Sequence, residues 1–293
     1  MRFDRIASIH AGHLTARVLT RRFNSRIPIL MYHSICDELG GRHPYYETNT
    51  SPRVFEQQMR YLHENGYSPL SLDGAIDWLQ SPRSGQKPVV ITFDDGYRDF
   101  YTAAYPVLGK YGLTATMFVV SGFIGDQAIQ FKGRNCLTWK EVKVLRSNGI
   151  QIGSHTVTHA ELEFQETARI DDEIGRSKQN IEDRIGEPVK SFSYPYAFPE
   201  SNRALIAFLA RTLKKHGYEN GVSTIVGTAG QEADSFFLPR LPVNSWDDLR
   251  FFRTKLEGGY DWLHVPQRVY KAVRSYTKPG WRDASRNRRA TEP

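Results

Sequence analysis

Cysteine is nearly absent from this 293-residue chain, which has only Cys36 and Cys136. Two cysteines make no disulfide framework, and neither sits in a Cys-x-x-Cys pair, so both read as buried thiols with a single bridge left open. No run of about 18 apolar residues occurs, so no bilayer-spanning helix is expected. The N-terminus is positively charged but lacks the continuous apolar stretch and small-residue cleavage site of a secretory signal. The expected location is therefore cytoplasmic or membrane-peripheral, with export left open. No Lys/Arg-rich segment is interleaved with aromatics, which argues against base stacking and so against nucleic acid as a partner. Internal repeats and low-complexity blocks are also missing.

What is present fits an ordinary globular protein. Apolar residues make up 40% and charged residues 24%, and the length suffices for one large α/β domain or two small ones. The formal charge of +7 gathers at the ends, in Arg2, Arg5, Arg17, Arg21, Arg22 and Arg26 and again in Lys271, Arg274, Lys278, Arg282, Arg286, Arg288 and Arg289. Such ends are solvated tails or contacts for anionic polymers and membrane surfaces. Phe3, Ile6, Ile9, Leu14, Val18, Leu19 and Phe23 lie among the first arginines. They suit a basic amphipathic helix on a membrane or, more plainly, a helix packed outside the domain. The expected organisation is a basic extension over 1–25, a single domain over 26–275 and a basic, disordered tail over 276–293.

Apolar runs alternate with helical patterns. Residues 27–32, 88–93, 115–120, 191–194 and 218–226 read as strands. Ser51-Pro52 and Ser71 open helices, residues 101–111 and 202–216 form two more, and Thr138-Trp139-Lys140-Glu141 is a capping-box pattern for another that stops at Gly149. A long helix over 166–185 ends at Gly186. This order implies a parallel sheet with helices outside, open or closed into a barrel.

Two short segments carry the chemistry. Ile91-Thr92-Phe93-Asp94-Asp95-Gly96-Tyr97 sets adjacent carboxylates after the apolar run Val89-Val90-Ile91; about 60 residues on, His155-Thr156-Val157-Thr158-His159 sets two imidazoles four apart after Ile150-Gln151-Ile152. The C-terminal ends of parallel strands are where ligands bind in such folds. One carboxylate with two histidines is a ligand set for a catalytic zinc-type site with positions left open for water, and the other carboxylate is free to act as a base. Singly, Asp-Asp-Gly is a turn motif and His-x-x-x-His can be two solvated neighbours on a helix. Together they outline a metal hydrolase. The donor set suits one divalent ion, zinc above all, and accepts others.

These two segments, with Ser193-Tyr194-Pro195-Tyr196-Ala197 as a third, resemble the signature motifs of the polysaccharide deacetylase family, the NodB-like carbohydrate esterases of family 4. The resemblance runs from about Arg26 to the Trp262 region. It implies an α/β fold, an irregular (β/α) barrel with its NodB-like core from about residue 88. It also implies a metal-dependent hydrolase that removes N-acetyl groups from an N-acetylhexosamine polysaccharide or oligosaccharide, such as an exopolysaccharide. By resemblance, Asp95 binds the metal with His155 and His159, Asp94 is the general base, and the backbone N–H of Tyr196, after Pro195, serves the oxyanion.

The chain also departs from the commoner pattern. Leu263-His264 lacks the spacing of the family's Leu-x-His motif, and no arginine precedes Pro195-Tyr196. Arg240, in Leu238-Pro239-Arg240-Leu241-Pro242, can supply that arginine or form a structural ion pair. Tyr32-His33-Ser34 resembles the opening Tyr-His of biofilm-type poly-N-acetylglucosamine deacetylases, which makes His33 the expected general acid; a satisfied rim histidine is the alternative. Tyr194, Tyr196, Phe198 and Trp246 are candidate sugar surfaces, with core packing as the other reading. Two further functions stay open: a non-catalytic carbohydrate-binding relative, which needs no free base beside a metal triad, and a metal amidohydrolase acting on another small amide.

Overall fold

The apolar runs become the staves of a closed barrel in the computed structural model, which describes residues 4–9, 26–38 and 47–268. In chain order the strands are β1 (Ile29–Tyr32), β2 (Ser34–Ile35), β3 (Asn49–Thr50), β4 (Tyr67–Pro69), β5 (Lys87–Phe93), β6 (Thr116–Val119), β7 (Gln130–Phe131), β8 (Arg134–Asn135), β9 (Gln151–Ser154), β10 (Ser191–Ser193), β11 (Asn220–Val226) and β12 (Leu238–Pro242). The ring runs β1-β12-β11-β10-β9-β6-β5 and closes where β5 pairs back onto β1, with Ile29 opposite Val90 and Tyr32 opposite Phe93. Every pairing in it is parallel, and β4 flanks β5 outside the ring. This is the expected irregular (β/α) barrel.

Strands enclosed on both faces must be apolar throughout, and β5 is buried from Pro88 to Phe93. Tyr32, Phe55, Phe93 and Phe100 stack into one cluster of that core, with ring centroids 4.7 to 5.7 Å apart. The helices begin and end where cap chemistry directs. Ser51 accepts from the Val54 amide ahead of Pro52–Glu64, and Ser71 from Gly74 ahead of Leu72–Gln80. Thr138 and Glu141 cap Trp139–Ser147 reciprocally. Gly186 takes the left-handed φ of 76° that stops Thr167–Ile185.

Some elements depart from the sequence reading. The helix expected over 101–111 starts as a π-helical turn, Phe100–Ala104, before Tyr105–Lys110. Pro106 has no N–H to give the preceding turn, and the Tyr105 amide reaches Phe100 O instead. The strand β12 and the helix Leu249–Leu256 carry no clear signal, because Pro239 and Pro242 demote a strand pattern. The β11–β12 register shifts between Val222 and Val226, so the gap in the ladder falls where Pro239 lacks a donor. The hairpin β7–β8 turns through Lys132 and Gly133, both at positive φ, the geometry of a two-residue type I′ turn.

Both cysteines are free thiols; Cys136 is buried as expected, whereas Cys36 is only half-buried, with the Arg134 guanidinium 2.9 Å from its sulfur. Residues 4–9 form a helical segment packed on the domain, where Ser8 accepts from the Trp262 indole at 2.9 Å and Arg5 pairs with Asp248. The rest of the expected extension over 1–25 and the tail over 276–293 lie outside the described residues. No helix among the described residues is long and apolar enough to cross a membrane.

Candidate active site

The C-terminal ends of the strands open into a cavity of about 470 Å³ lined by His33, Asp94, Asp95, His155, His159 and Tyr196, among others. His33 follows β1, Asp94 and Asp95 follow β5, His155 follows β9 and Tyr196 lies in the loop after β10. The backbone there is strained. Among the described residues, the non-glycine positions at positive φ are Asp95 (74°), Lys132 (49°), Thr156 (67°), His159 (59°) and Tyr196 (59°). All but Thr156 line the cavity, and Thr156 adjoins His155. Such conformations are uncommon for residues with a side chain and concentrate at functional sites. The left-handed turn at Asp95 is what brings two consecutive carboxylates to one mouth.

Asp95, His155 and His159 converge, with one ligand atom from each all within 4.8 Å of one another. Asp95 Oδ1 lies 3.5 Å from His155 Nε2 and 3.1 Å from His159 Nε2. His155 Nδ1 donates to the Ser193 carbonyl at 2.8 Å, so the ring turns its Nε2 toward the cluster. Asp95 Oδ1 is buried without a hydrogen-bond partner. An orphaned carboxylate oxygen facing imidazole nitrogens calls for a cation, and the spacing matches the roughly 3.4 Å between ligand atoms of a tetrahedral zinc-type centre. The residues present therefore fit a divalent metal. Burial would raise the Asp95 carboxyl, but His155 and His159 beside it hold it well below its ordinary value. Burial lowers His159, against the pull of Asp95.

Asp94 has the opposite surroundings. Its two oxygens accept from Arg240 Nη1 and Nη2, each at 2.8 Å, and Ser193 Oγ donates to it at 3.1 Å. Arg240 is fully buried and is anchored in turn on the Ser223 carbonyl at 2.9 Å and the Thr92 hydroxyl at 3.2 Å. Burial pushes the Asp94 carboxyl up, but Arg240 and, after it, His155 outweigh that and bring it down to about 2. Arg240 thus stands behind the carboxylate; it is not among the cavity-lining residues, because its guanidinium is spent on Asp94.

His33 lines the cavity, and burial lowers its imidazole below the ordinary value although Asp95 and Asp94 pull it upward. The other candidate histidines lie elsewhere. His264 hydrogen-bonds Glu200 at 2.7 Å, and His216 contacts Asp171 at 3.1 Å beside a separate cleft on the helix Thr167–Ile185. Tyr196 is 46% exposed and packs edge-on against His159, centroids 4.6 Å apart. Tyr194 and Phe198 also line the cavity but are buried against Phe237, so packing dominates there. Pro195 is not among the lining residues, though both its neighbours are. Trp246 is not brought in. It is 47% exposed in the turn after β12, where the Asn244 side chain accepts its amide at 3.0 Å.

Several site residues escaped the sequence reading. Tyr97 lines the wall beside Asp95. Lys132, at the hairpin tip, holds its ammonium 3.8 Å from Asp95 Oδ2 and over the Phe131 and Tyr196 rings at 4.6 and 5.4 Å. Only the Lys-Gly turn hinted at it. Ser193 serves both halves of the site, through its hydroxyl on Asp94 and its carbonyl on His155.

Residues 81–220 match the family model described as Polysaccharide deacetylase. The chain is 34% identical over 224 residues to YxkH of Bacillus subtilis (strain 168), which carries the polysaccharide deacetylase family name, across 75% of this chain and 72% of that protein. It is 22% identical over 205 residues to a poly-beta-1,6-N-acetyl-D-glucosamine N-deacetylase of Staphylococcus aureus, across 67% of this chain and 68% of that one. Among solved structures, the Streptococcus pyogenes deacetylase PplD in complex with acetate superposes with a TM-score of 0.67 at 27% identity, covering 79% of this chain and 98% of that one. IcaB from Ammonifex degensii, at 0.62 and 20% identity over 80% and 97% of the two chains, shares the fold.

Proposed function

The chain belongs to the polysaccharide deacetylase family, hydrolases of carbon–nitrogen bonds other than peptide bonds, and from that premise we propose a metal-dependent enzyme that removes N-acetyl groups from an N-acetylglucosamine-containing polymer. One observation carries the reading. Two consecutive carboxylates share a cavity mouth, one clamped by a buried arginine and the other facing two imidazoles with an oxygen unsatisfied. A binding module has no use for that division.

Asp95, His155 and His159 would hold a divalent ion, with zinc the ion the donors suit best, and it would supply Lewis acidity toward a water and an amide carbonyl. Asp94, kept ionised by Arg240, accepts the proton of the attacking water at its carboxylate. The oxygen of that water bonds to the acetyl carbon, the C–N bond breaks, and the products are acetate and a free amine. The Tyr196 backbone N–H is the donor assigned to the developing oxyanion. His33, whose imidazole burial lowers, relays to the departing nitrogen the proton that Asp94 took from the water, which leaves Asp94 ionised again. The exposed face of Tyr196 offers a sugar ring an apolar surface at the rim.

The substrate reading draws on the Staphylococcus aureus relative, whose name specifies a β-1,6-linked N-acetylglucosamine polymer. The deciding assay measures acetate release from N-acetylglucosamine oligomers and from small acetylated amides, after chelation and again after metal is restored. Metal-restored release from the oligomers is expected. Preference for the small amides would replace the substrate, and release untouched by chelation would remove the metal.

A further inference from the structure

The helix Thr167–Ile185 buries a carboxylate that faces no substrate. Glu173 is fully buried on the stripe formed by Ile170, Ile174, Ser177 and Ile181, a position where helix patterning asks for an apolar side chain. A charge in such a place persists only when it is paired and hydrogen-bonded. One Glu173 oxygen accepts the backbone N–H groups of Val157 at 2.8 Å and Thr158 at 2.9 Å. The other accepts the Thr158 hydroxyl at 2.6 Å and pairs with Arg169 at 2.6 Å. Three of these four donors come from the short segment between the metal-site histidines.

That segment needs holding. Thr156 and His159 sit at φ 67° and 59°, conformations that persist only where the surroundings over-determine them. Its carbonyls are fixed from the other side: the Ser121 amide donates to Thr156 O at 3.1 Å and the Gly122 amide to Val157 O at 2.9 Å. A Cβ on Gly122 would stand 2.5 Å from that Val157 oxygen, so only glycine allows the approach. Glu173 supplies the opposite jaw of a two-sided clamp.

We propose that Glu173 is a positioning residue for the metal triad, holding the Val157–Thr158 turn so that His155 and His159 present Nε2 to Asp95. The inference rests on the triad reading above. A glutamine keeps one oxygen for the two amides but sets an NH2 group against Arg169, where charge and donor no longer match.

The test titrates metal-free protein with Co2+, reading affinity and the visible ligand-field spectrum, which reports coordination geometry without reference to turnover. Removing a group that orients metal ligands typically costs 10–100-fold in affinity, so Glu173→Gln is expected to bind Co2+ roughly 10–100-fold more weakly, with an altered spectrum and retained circular dichroism. Thr158→Val, which removes a single donor, shifts both readouts less and in the same direction. Ile181→Val loosens the same helix away from the turn and leaves both unchanged. A folded Glu173→Gln with wild-type affinity and spectrum overturns the proposal, as does an equal loss in Ile181→Val. Should Glu173→Gln not fold, wild-type behaviour of Thr158→Val overturns it. Wild-type protein that takes up no Co2+ overturns the triad reading itself, a result distinct from any change confined to the variants.

Discussion

Asp94 and Asp95 are chemically identical neighbours, and the fold gives them opposite lives. Asp94 is saturated by Arg240 and Ser193, so its charge is compensated from within the protein. Asp95, on a left-handed backbone, has Lys132 near one oxygen, while the other faces two imidazoles without a hydrogen-bond partner, which leaves it room for a cation. Their surroundings thus separate a fixed anion, suited to receive a proton, from a carboxylate suited to a cation. Burial raises both carboxyls and both end up lowered, Asp94 by an arginine and Asp95 by its histidines.

The most damaging way to break this division is to remove the external half. Asp95→Ala, His155→Ala and His159→Ala should each lose bound metal and all measurable deacetylation together, because an open site has no ligand to spare. Metal content and acetate release on the same samples check this, and a variant holding a full equivalent at wild-type affinity would clear that residue of a ligand role. Asp94→Asn breaks the internal half: it should retain metal while losing roughly 10²–10⁴-fold in kcat, the range for a missing general base. Metal lost on this change would make Asp94 a ligand instead. His33→Ala should behave similarly, with metal kept and kcat reduced by roughly 10²–10⁴-fold, as for a missing general acid; turnover near wild type would return His33 to a rim histidine.

Removing the arginine instead of the base tests the internal compensation directly. Arg240→Met should destabilise the metal-free protein by about 3–5 kcal/mol, since it strands a buried carboxylate without a countercharge. Chemical denaturation measures that loss, and a change below about 1 kcal/mol, the scale of an exposed pair, would mean the clamp contributes little.

The smallest effect sharpens the comparison through pH. Asp94 is lowered from 3.8 to about 2, so its contribution is complete above about pH 4 and is lost as pH falls through about 2. Across that window metal-free wild type should lose about 2 kcal/mol more than Asp94→Asn does, at 1.36 kcal/mol per pKa unit. Parallel stability curves for the two proteins would show that Asp94 does not titrate there.

Much of this molecule is legible along the chain. The Ser51, Ser71 and Thr138 caps and the Gly186 stop rest on contacts between residues a few positions apart, and each is found where the pattern puts it. The candidate donor types are legible too, because Asp94-Asp95 and His155-x-x-x-His159 are local patterns at strand ends. Along the chain Arg240 carries two readings, and residue type alone makes Trp246 a candidate sugar surface. Barrel closure places both residues. It sets β12 beside β1 and β11 and so delivers a guanidinium to a carboxylate 146 positions away, while leaving Trp246 on an exposed turn. Lys132 and Glu173 likewise meet the site only through neighbours that no window of sequence contains. Sequence by itself determined the chemical types and the local turns, since propensity and capping act over a few residues. Tertiary structure alone decided which charges are compensated from within and which are left to bind, since that depends on the burial and hydrogen-bond partners that closure of the barrel creates.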